Sequence, residues 1–160
     1  MEAPILSISI LVSGKYENVK RCLDSIQPIL KQVPSELILT DTGCSSQVRK
    51  LIEEYTDNII DFEWIQDFSA ARNAGLRLAR GDWFMYMDDD EWFENPSDII
   101  DFLLSDEQKE YDVALYYQRN YQDVNMSVYL DYGVDRIIRR TDKLHFENRV
   151  HEAYTGIEVR

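Results

Sequence analysis

Three short apolar runs stand out in the first half of the chain, and each one stops abruptly at a polar residue. They are ILSISILV at 5–12, ELILTD at 36–41 and WFMYM at 83–87. Continuous β-branched and aliphatic runs are typical of strands buried on both faces of a sheet. Segments with helical spacing of apolar residues lie between them. This alternation predicts an α/β fold, with a Rossmann-like, mostly parallel sheet and helices on both faces.

The remaining segments predict further elements. Helices are predicted over 19–30, 47–55, 67–82 and 95–105, and strands over 59–64, 111–120 and 135–140. Pro28 is expected to end or kink the first helix, because proline disrupts helix interiors. Ser69 is the predicted N-cap of the helix over 67–82, and Gly81 is its predicted C-terminal stop. No internal repeat interrupts this pattern, so the 160 residues are expected to form a single domain.

Charge and cysteine content exclude several classes of protein. Thirty acidic residues against 17 basic ones give a net charge of −13, which disfavours nucleic acid as a partner. A small anionic ligand remains compatible if a cation mediates its binding. The two cysteines, Cys22 and Cys44, do not predict a disulfide scaffold. The N-terminal apolar run is too short for a membrane span, so we expect a cytoplasmic protein, either free or peripheral to the inner face of the membrane.

Polar side chains follow three of the predicted strands at the point where each strand ends. Ser13 follows the first strand, Asp41 ends the second and Asp88 ends the strand over 83–87. The carboxyl ends of parallel strands meet at one edge of a sheet, and ligands bind there in such folds. We therefore expect these residues to lie close together at the rim of a pocket.

The acidic run DDDE at 88–91 lies between large apolar residues, which is unusual for a solvated loop. If the chain stays extended, Asp88 and Asp90 point to one side and Asp89 to the other. Two carboxylates directed at one point suit Mg²⁺ or Mn²⁺, which complete their coordination with water and substrate phosphates. The pattern therefore predicts a metal site that binds an anionic diphosphate.

Four stretches together resemble a known family. They are ISILVSGKYENVKRCLDSI, ELILTDTGCSS, DFSAARNAGLRLARGDWFMYMDDDEWF and NRVHEAY, in this order. They resemble family 2 glycosyltransferases of the GT-A fold, in particular a bacterial subgroup with D-F-S-x-x-R-N and D-x-D-E motifs. The likeness is strong over residues 5–95 and weaker over 135–155. It implies a nucleotide-sugar-binding half over 1–95 and an acceptor-side half over 96–160, completed in related enzymes by further segments.

The resemblance implies roles for five donor-side residues. Asp41 would bind the base or ribose of the donor, and Ser13 would offer backbone contacts to the base. Arg72 would face the nucleotide or its diphosphate, and Asn73 would support that loop. Asp89 would be a further donor-binding residue. The turn after the first strand lacks the proline common in the family, which weakens the assignment of Ser13.

The resemblance also implies the metal site and the catalytic groups. Asp88 and Asp90 would hold Mn²⁺ or Mg²⁺, with Asp90 the more direct ligand and a catalytic residue, and Asp88 nearer the ribose. Glu91 would support these ligands. His151 would complete the metal site or touch the diphosphate, and Glu152 is the candidate general base, since a carboxylate usually fills that role.

Several of these residues have simpler interpretations. Asp41 also suits a turn-capping role in Asp-Thr-Gly, Arg72 an exposed helix position and His151 an ordinary surface position. Trp83, Phe84 and Trp92 are expected in the core rather than stacked on a sugar. The tyrosine-rich stretch over 117–133 either lines an acceptor groove or is an ordinary loop.

The function implied by the resemblance is metal-dependent, inverting transfer of a sugar from a nucleoside-diphosphate-sugar. A UDP-sugar is the favoured donor, and the acceptor is a saccharide, a lipid-linked carrier or a peptide. One alternative is a nucleotidyltransferase, although SGKYENVK lacks the glycine-rich phosphate loop of that class. The other is a domain that binds a nucleotide-sugar without turnover, because the chain stops soon after Glu152.

Overall fold

The computed structural model describes residues 2–159. The strands are β1 (Leu6–Val12), β2 (Ser35–Asp41), β3 (Ile59–Asp61), β4 (Trp83–Asp88), β5 (Val113–Tyr121), β6 (Tyr129–Arg139), β7 (His145–Glu147) and β8 (Ala153–Thr155). The α-helices are α1 (Tyr16–Ser25), α2 (Gln27–Gln32), α3 (Ser46–Glu53), α4 (Phe68–Leu78) and α5 (Ser97–Leu104), and a 3₁₀ turn covers Asp106–Glu110. No helix in the described range is long and apolar enough to cross a bilayer.

Six strands form one sheet in the order β3-β2-β1-β4-β6-β5. The first four are parallel to one another, and β6 pairs antiparallel with both β4 and β5. A separate ribbon consists of β7 and β8. The predicted α/β class and mostly parallel sheet are therefore confirmed.

Both faces of the sheet are covered, as predicted. One face packs against the buried faces of α1, α2, α3 and α5, and the core there includes Leu23, Ile52 and Leu103. The other face packs against the end of α4 and the β7–β8 ribbon, where Phe84 meets Phe146. Trp83 and Phe84 are completely buried, so they are core residues as expected.

The boundaries of two predicted helices differ from the expectation. Pro28 occupies the second position of α2, where a missing N–H costs little, and the break between α1 and α2 falls at Ile26. Asp67, rather than Ser69, caps α4 by accepting a hydrogen bond from the N–H of Ala70. Ser69 is instead buried within the helix.

Gly81 does not stop α4, which ends at Leu78 with Ala79 as its C-cap. The glycine lies where the chain passes against β1, and a Cβ at this position would come within 2.6 Å of the backbone nitrogen of Ser7. Close approach of two backbones, rather than helix termination, explains its presence.

The segment over 117–133 is a β-hairpin rather than a loop. Strand β6 pairs with β4 only at 137–139, whereas it pairs with β5 along most of its length. Since Met85 lies opposite Ile137 and the strands are antiparallel, residues 129–133 extend past the carboxyl end of β4 by about 17 Å at 3.3 Å per residue. The hairpin therefore projects on the side of the sheet where β4 ends.

Candidate active site

The strand register brings the predicted strand-end residues to one edge of the sheet. Asp88 lies opposite Leu11, and Asp41 lies opposite Val12, directly before Ser13. A pocket of about 670 Å³ opens at this edge. Its lining residues are Leu11, Ser13, Thr42, Trp64, Phe68, Asp88, Asp89, Asp90, Val150, His151 and Glu152. Six of the predicted site residues thus face one cavity.

The acidic run does not stay extended beyond Asp88. The N–H of Glu91 donates to the carbonyl of Asp88 at 3.2 Å, which closes a turn over residues 88–91. The extended interpretation assumed that successive side chains alternate between two sides, and the turn shows that they do not. Because of the turn, Asp88, Asp89 and Asp90 all line the pocket.

Asp89 joins this turn to the loop after β1. Its Oδ2 accepts hydrogen bonds from the backbone N–H groups of Ser13 at 2.8 Å and Gly14 at 2.7 Å. A Cβ on residue 14 would lie 2.9 Å from the same oxygen, so glycine allows the approach. The backbone of Ser13 was expected to contact the nucleotide base, and its N–H is engaged by Asp89.

Arg72 is buried, and its guanidinium is bonded within the protein. Its side chain is 1% exposed, and Nη1 donates to the carbonyl of Met87 at 2.8 Å. Nη2 pairs with Asp88 Oδ1, and Nε lies 3.3 Å from Glu152 Oε1. The alternative of an exposed helix position is therefore wrong. One buried guanidinium instead links a predicted metal ligand to the candidate base.

Asp41 and Asn73 also act within the protein. Asp41 Oδ1 accepts from the N–H groups of Gly43 and Cys44, and Oδ2 accepts from Arg49 at 3.0 Å, which is the turn-capping arrangement. Burial opposes but does not outweigh these bonds, so the pKa of Asp41 is lowered. Asn73 exchanges two hydrogen bonds with the backbone of Phe146, at 2.9 and 2.8 Å. Neither side chain lines the pocket.

The loop that carries His151 and Glu152 is held against the start of α4. Ser69 Oγ donates to the carbonyl of Asn148 at 2.6 Å, and the N–H of Phe68 donates to the carbonyl of Arg149 at 2.9 Å. His151 has a φ of 54°, a left-handed conformation that histidine tolerates better than most residues. These contacts place Glu152 at the pocket, across Arg72 from Asp88.

An aromatic wall of the pocket was missed by the sequence analysis. Trp64 and Phe68 form an edge-to-face pair with ring centroids 4.9 Å apart, and their exposed fractions are 39% and 38%. They lie on either side of Asp67, the N-cap of α4. Two large aromatic residues so close to a helix cap could have indicated such a wall from the sequence. Such a wall suits the flat face of a base or sugar ring.

Two of the carboxylates in the pocket, those of Asp89 and Asp90, have no ion-pair partner among the described residues. In residues 2–159, Arg72 reaches Asp88, but no basic side chain forms an ion pair with Asp89 or Asp90. Partial burial, together with the charges of Asp88 and Asp89, raises the pKa of Asp90. This charge crowding favours a cation at the pocket.

The described residues do not form a complete protein-only metal cluster. No group of three or more His, Cys, Asp or Glu side chains converges within 2–159, so the predicted set of Asp88, Asp90 and His151 is not gathered around one point. All three nevertheless line the pocket. Two carboxylates fit an ion such as Mg²⁺, which is bound in many enzymes by one or two carboxylates plus substrate phosphates and water.

Curated relatives match different lengths of the chain. The SPbeta prophage-derived glycosyltransferase SunS of Bacillus subtilis (strain 168) is 26% identical over 94% of this chain and 35% of its own length. The TPR repeat-containing protein Synpcc7942_0270 of Synechococcus elongatus is 35% identical over 54% of this chain and 20% of its own. The chain thus spans about a third or less of these relatives.

Solved structures share the fold. The crystal structure of S. aureus TarS 1-349 in complex with UDP-GlcNAc aligns with a TM-score of 0.52 at 19% identity, over 68% of this chain and 32% of that 1–349 chain. The mannosyltransferase PcManGT from Pyrobaculum calidifontis, in complex with GDP-Man and Mn²⁺, aligns with a TM-score of 0.54 at 16% identity, over 78% and 39%. The likeness to these structures confirms the predicted GT-A fold.

A family model extends this agreement to nearly the whole sequence. The model for glycosyl transferase family 2 matches residues 7–156, which include all of β1 but its first residue, the acidic turn and the loop with His151 and Glu152. The match covers every lining residue of the pocket and almost all of the sheet that supports it. The chain therefore belongs to glycosyl transferase family 2, as the resemblance of its motifs implied.

Proposed function

We propose that this chain binds a nucleoside-diphosphate-sugar in the pocket at the ends of β1 and β4 and transfers the sugar to an acceptor hydroxyl. The observation that supports this most directly is that Asp88, Asp89, Asp90 and Glu152 line one cavity. The carboxylates there attract a cation, and a cation in turn binds a diphosphate. Structural neighbours were solved with UDP-GlcNAc and with GDP-Man, which supports a nucleotide-sugar donor.

Asp90 and Asp88 are the proposed ligands of Mn²⁺ or Mg²⁺. When bound, the ion supplies positive charge that stabilises the departing diphosphate. Asp90 is the better placed of the two, because one oxygen of Asp88 is already paired with Arg72. His151 lines the same pocket and is proposed to contact the diphosphate rather than to complete a protein-only cluster.

Glu152 is the proposed general base. It would accept the proton of the acceptor hydroxyl while that oxygen bonds to the anomeric carbon and the bond from this carbon to the diphosphate breaks. Attack from the face opposite the leaving group inverts the anomeric configuration. The side chain of Glu152 is 18% exposed and lies beside Arg72, which holds it without closing it off from the pocket. A carboxylate in hydrogen-bond reach of a substrate hydroxyl suits this role.

The aromatic wall is proposed to hold the planar part of the donor. Trp64 and Phe68 lie in the same cavity as the acidic turn, so a ring stacked on them would place its phosphates toward Asp90. We favour a uridine nucleotide, as in the UDP-GlcNAc complex of the structural neighbour TarS. We propose a saccharide, lipid-linked or peptide acceptor on the side of residues 96–160.

Calorimetric titration tests the donor pocket. UDP, GDP, CDP and dTDP are titrated with and without Mn²⁺ into wild type, Asp90→Asn and the control Asp98→Asn. Asp98 is an exposed acid in the first turn of α5, outside the pocket lining. We expect one diphosphate to bind in a Mn²⁺-dependent manner to wild type and to Asp98→Asn, but not to Asp90→Asn. Donor turnover in Asp90→Asn should fall by roughly 10²–10³.

Two results would contradict the proposal. If no diphosphate binds to wild type under any metal condition, the acidic turn is not a donor site. If Asp90→Asn binds as wild type does, the cation is not held at this turn. Binding of a diphosphate-sugar without hydrolysis or transfer to any acceptor would favour the alternative of a binding domain without turnover.

A further inference from the structure

Glu91 is the one member of the acidic run that does not line the pocket, yet it is engaged by three partners. Its Oε2 accepts a hydrogen bond from the backbone N–H of Asp88 at 2.9 Å and pairs with Arg136 Nη1 at 3.1 Å. Its Oε1 accepts from Gln118 Nε2 at 3.0 Å. The side chains of Glu91 and Arg136 are each 18% exposed. The carboxylate therefore works inside the protein, behind the turn.

Two of these three partners belong to the projecting hairpin. Gln118 lies in β5 and Arg136 in β6, and neither lines the pocket. The hairpin has left the sheet at this level, because β4 pairs with β6 only at 137–139. Beyond the last paired residues of β4 and β6, the contacts of Glu91 therefore connect the hairpin to the turn that follows β4.

Asp88 is consequently held at two points. Its backbone N–H is fixed by Glu91, and its carboxylate is fixed by Arg72. The guanidinium carbons of Arg72 and Arg136 lie 5.1 and 5.0 Å from the centroid of the Tyr86 ring. The Tyr86 ring thus packs against both cations. Arg72 contacts Asp88 directly, and Arg136 contacts it through Glu91.

We propose that Gln118 and Arg136 are positioning residues that act through Glu91 to fix Asp88 and the 88–91 turn. This inference rests on the proposed function, since the turn is the proposed site of the cation and the diphosphate. Residues behind metal ligands hold them in the required orientation, and their loss commonly weakens metal affinity by 10–100-fold. The hairpin therefore sets the affinity of the donor pocket without touching the donor.

The hairpin offers a matched control on its other face. Arg119 pairs with Asp131 through Nε at 2.8 Å and Nη2 at 2.9 Å, and its guanidinium lies 3.9 Å from the centroid of the Tyr129 ring. It is therefore also an arginine paired with a carboxylate and placed over a tyrosine, but it does not reach Glu91. Arg119→Met therefore measures how much the loss of such a pair destabilises the hairpin itself, without a change at Glu91.

The first measurement is amide hydrogen exchange at Asp88, followed by NMR in wild type, Arg136→Met, Arg136→Lys and Arg119→Met without ligand. We expect exchange at Asp88 to become about tenfold faster in Arg136→Met, because the acceptor of its N–H loses an anchor. Arg119→Met should leave this amide unchanged, and Arg136→Lys should restore part of the protection. Gln118→Leu is the second variant should Arg136→Met not fold.

The second measurement is titration of UDP with Mn²⁺ and of UDP alone into the same variants. We expect the Mn²⁺-dependent affinity to fall 10–100-fold in Arg136→Met and to stay at the wild-type value in Arg119→Met. Equal effects of Arg136→Met and Arg119→Met, in either measurement, would overturn the inference, because hairpin stability would then be responsible. Unchanged Asp88 exchange in both Arg136→Met and Gln118→Leu would overturn it as well.

The two measurements separate this inference from the function on which it rests. If wild type binds no diphosphate, the proposed function fails, and exchange at Asp88 alone still shows whether the hairpin holds the turn. If wild type binds UDP with Mn²⁺ and Arg136→Met does so equally well, the proposed function stands and the positioning role is refuted.

Discussion

A single buried cation, Arg72, joins the two sides of the candidate site. Its guanidinium reaches Asp88, Glu152 and the carbonyl of Met87 at once, with one hydrogen bond from each of its three nitrogens. An arginine suits this position better than a lysine because its planar group presents several fixed donors. Removing it would leave two carboxylates and a carbonyl without their shared partner.

We expect Arg72→Met to lower the free energy of unfolding by about 3 kcal/mol, since breaking one side of a buried ion pair leaves charge uncompensated. Arg72→Lys should recover only part of this loss. The control is Arg77→Met, an exposed arginine on the same helix, which should change stability by less than about 0.5 kcal/mol. Urea unfolding followed by circular dichroism measures all three. Equal losses in Arg72→Met and Arg77→Met would contradict this role.

The sequence predicted which residues reach the pocket better than it predicted what they contact. Ser13, Asp88 and Glu152 could be placed because strand ends share an edge and the family motifs include them. The burial of Arg72 was not predicted, because helical spacing does not show which polar residue lies beneath a neighbouring loop. The side on which Asp89 lies was also wrong, because the 88–91 turn depends on a hydrogen bond that no local pattern specifies.

Helix α4 is shaped by what it packs on rather than by helix propensity. Gly75 lies in its interior, and a Cβ there would fall inside contact distance of Ser9 Oγ on β1. The hydroxyls of Ser9 and Thr40 are buried beneath the helix, and neither has a hydrogen-bond partner in the described residues. The close approach of helix and sheet thus depends on the absence of a side chain at residue 75.

This packing predicts non-additive effects of two substitutions. Gly75→Ala should destabilise by about 1 kcal/mol or more, since overpacking outweighs the helix propensity gained. Ser9→Ala should be nearly neutral, because its hydroxyl has no partner to lose. In the double variant the methyl group at 75 gains room, and the cost of Gly75→Ala should shrink by about 1 kcal/mol. Chemical denaturation of the four proteins measures the coupling, and strictly additive values would refute the contact.

Element boundaries illustrate the same difference between local and tertiary information. Strands β1, β2 and β4 were placed almost correctly, because their apolar runs end at polar residues, whereas β3 covers only Ile59–Asp61 of the predicted 59–64. The cap of α4 was assigned to Ser69, although Asp67 fills it, because both residues suit an N-cap and only the fold buries one of them. Most of β5 was predicted as the strand over 111–120 and the end of β6 as the strand over 135–140. The extension of β6 back to Tyr129 was not predicted, since this stretch exposes residues such as Leu130 and its sequence lacks the usual alternation.

The whole molecule carries a net charge of −13, and part of it is concentrated at the pocket. Self-repulsion at this charge destabilises a compact state, and salt screens it. Salt should therefore stabilise the protein without any specific site. A cation held at the acidic turn should add a stabilisation of a different kind, which depends on the diphosphate and on Asp90.

We expect Tm to rise between 0.01 and 0.5 M NaCl in wild type and Asp90→Asn alike. A relief of about 1 kcal/mol would correspond to roughly 2–4 °C. Adding Mn²⁺ with UDP at constant ionic strength should raise Tm further in wild type only, since binding to the folded state stabilises it. Differential scanning calorimetry measures both effects. A Tm that does not respond to NaCl would contradict the first expectation, and an equal Mn²⁺ increment in Asp90→Asn the second.

The bond between Asp89 and the loop after β1 has a mechanical consequence. Because the amides of Ser13 and Gly14 are both bound to one carboxylate oxygen, the loop and the acidic turn are coupled parts that must shift together or separate by breaking two hydrogen bonds. A ligand that displaces the acidic turn is therefore expected to displace the start of α1 as well, which lies more than seventy residues away along the chain. The positions of the acidic turn and of the start of α1 are coupled in this way.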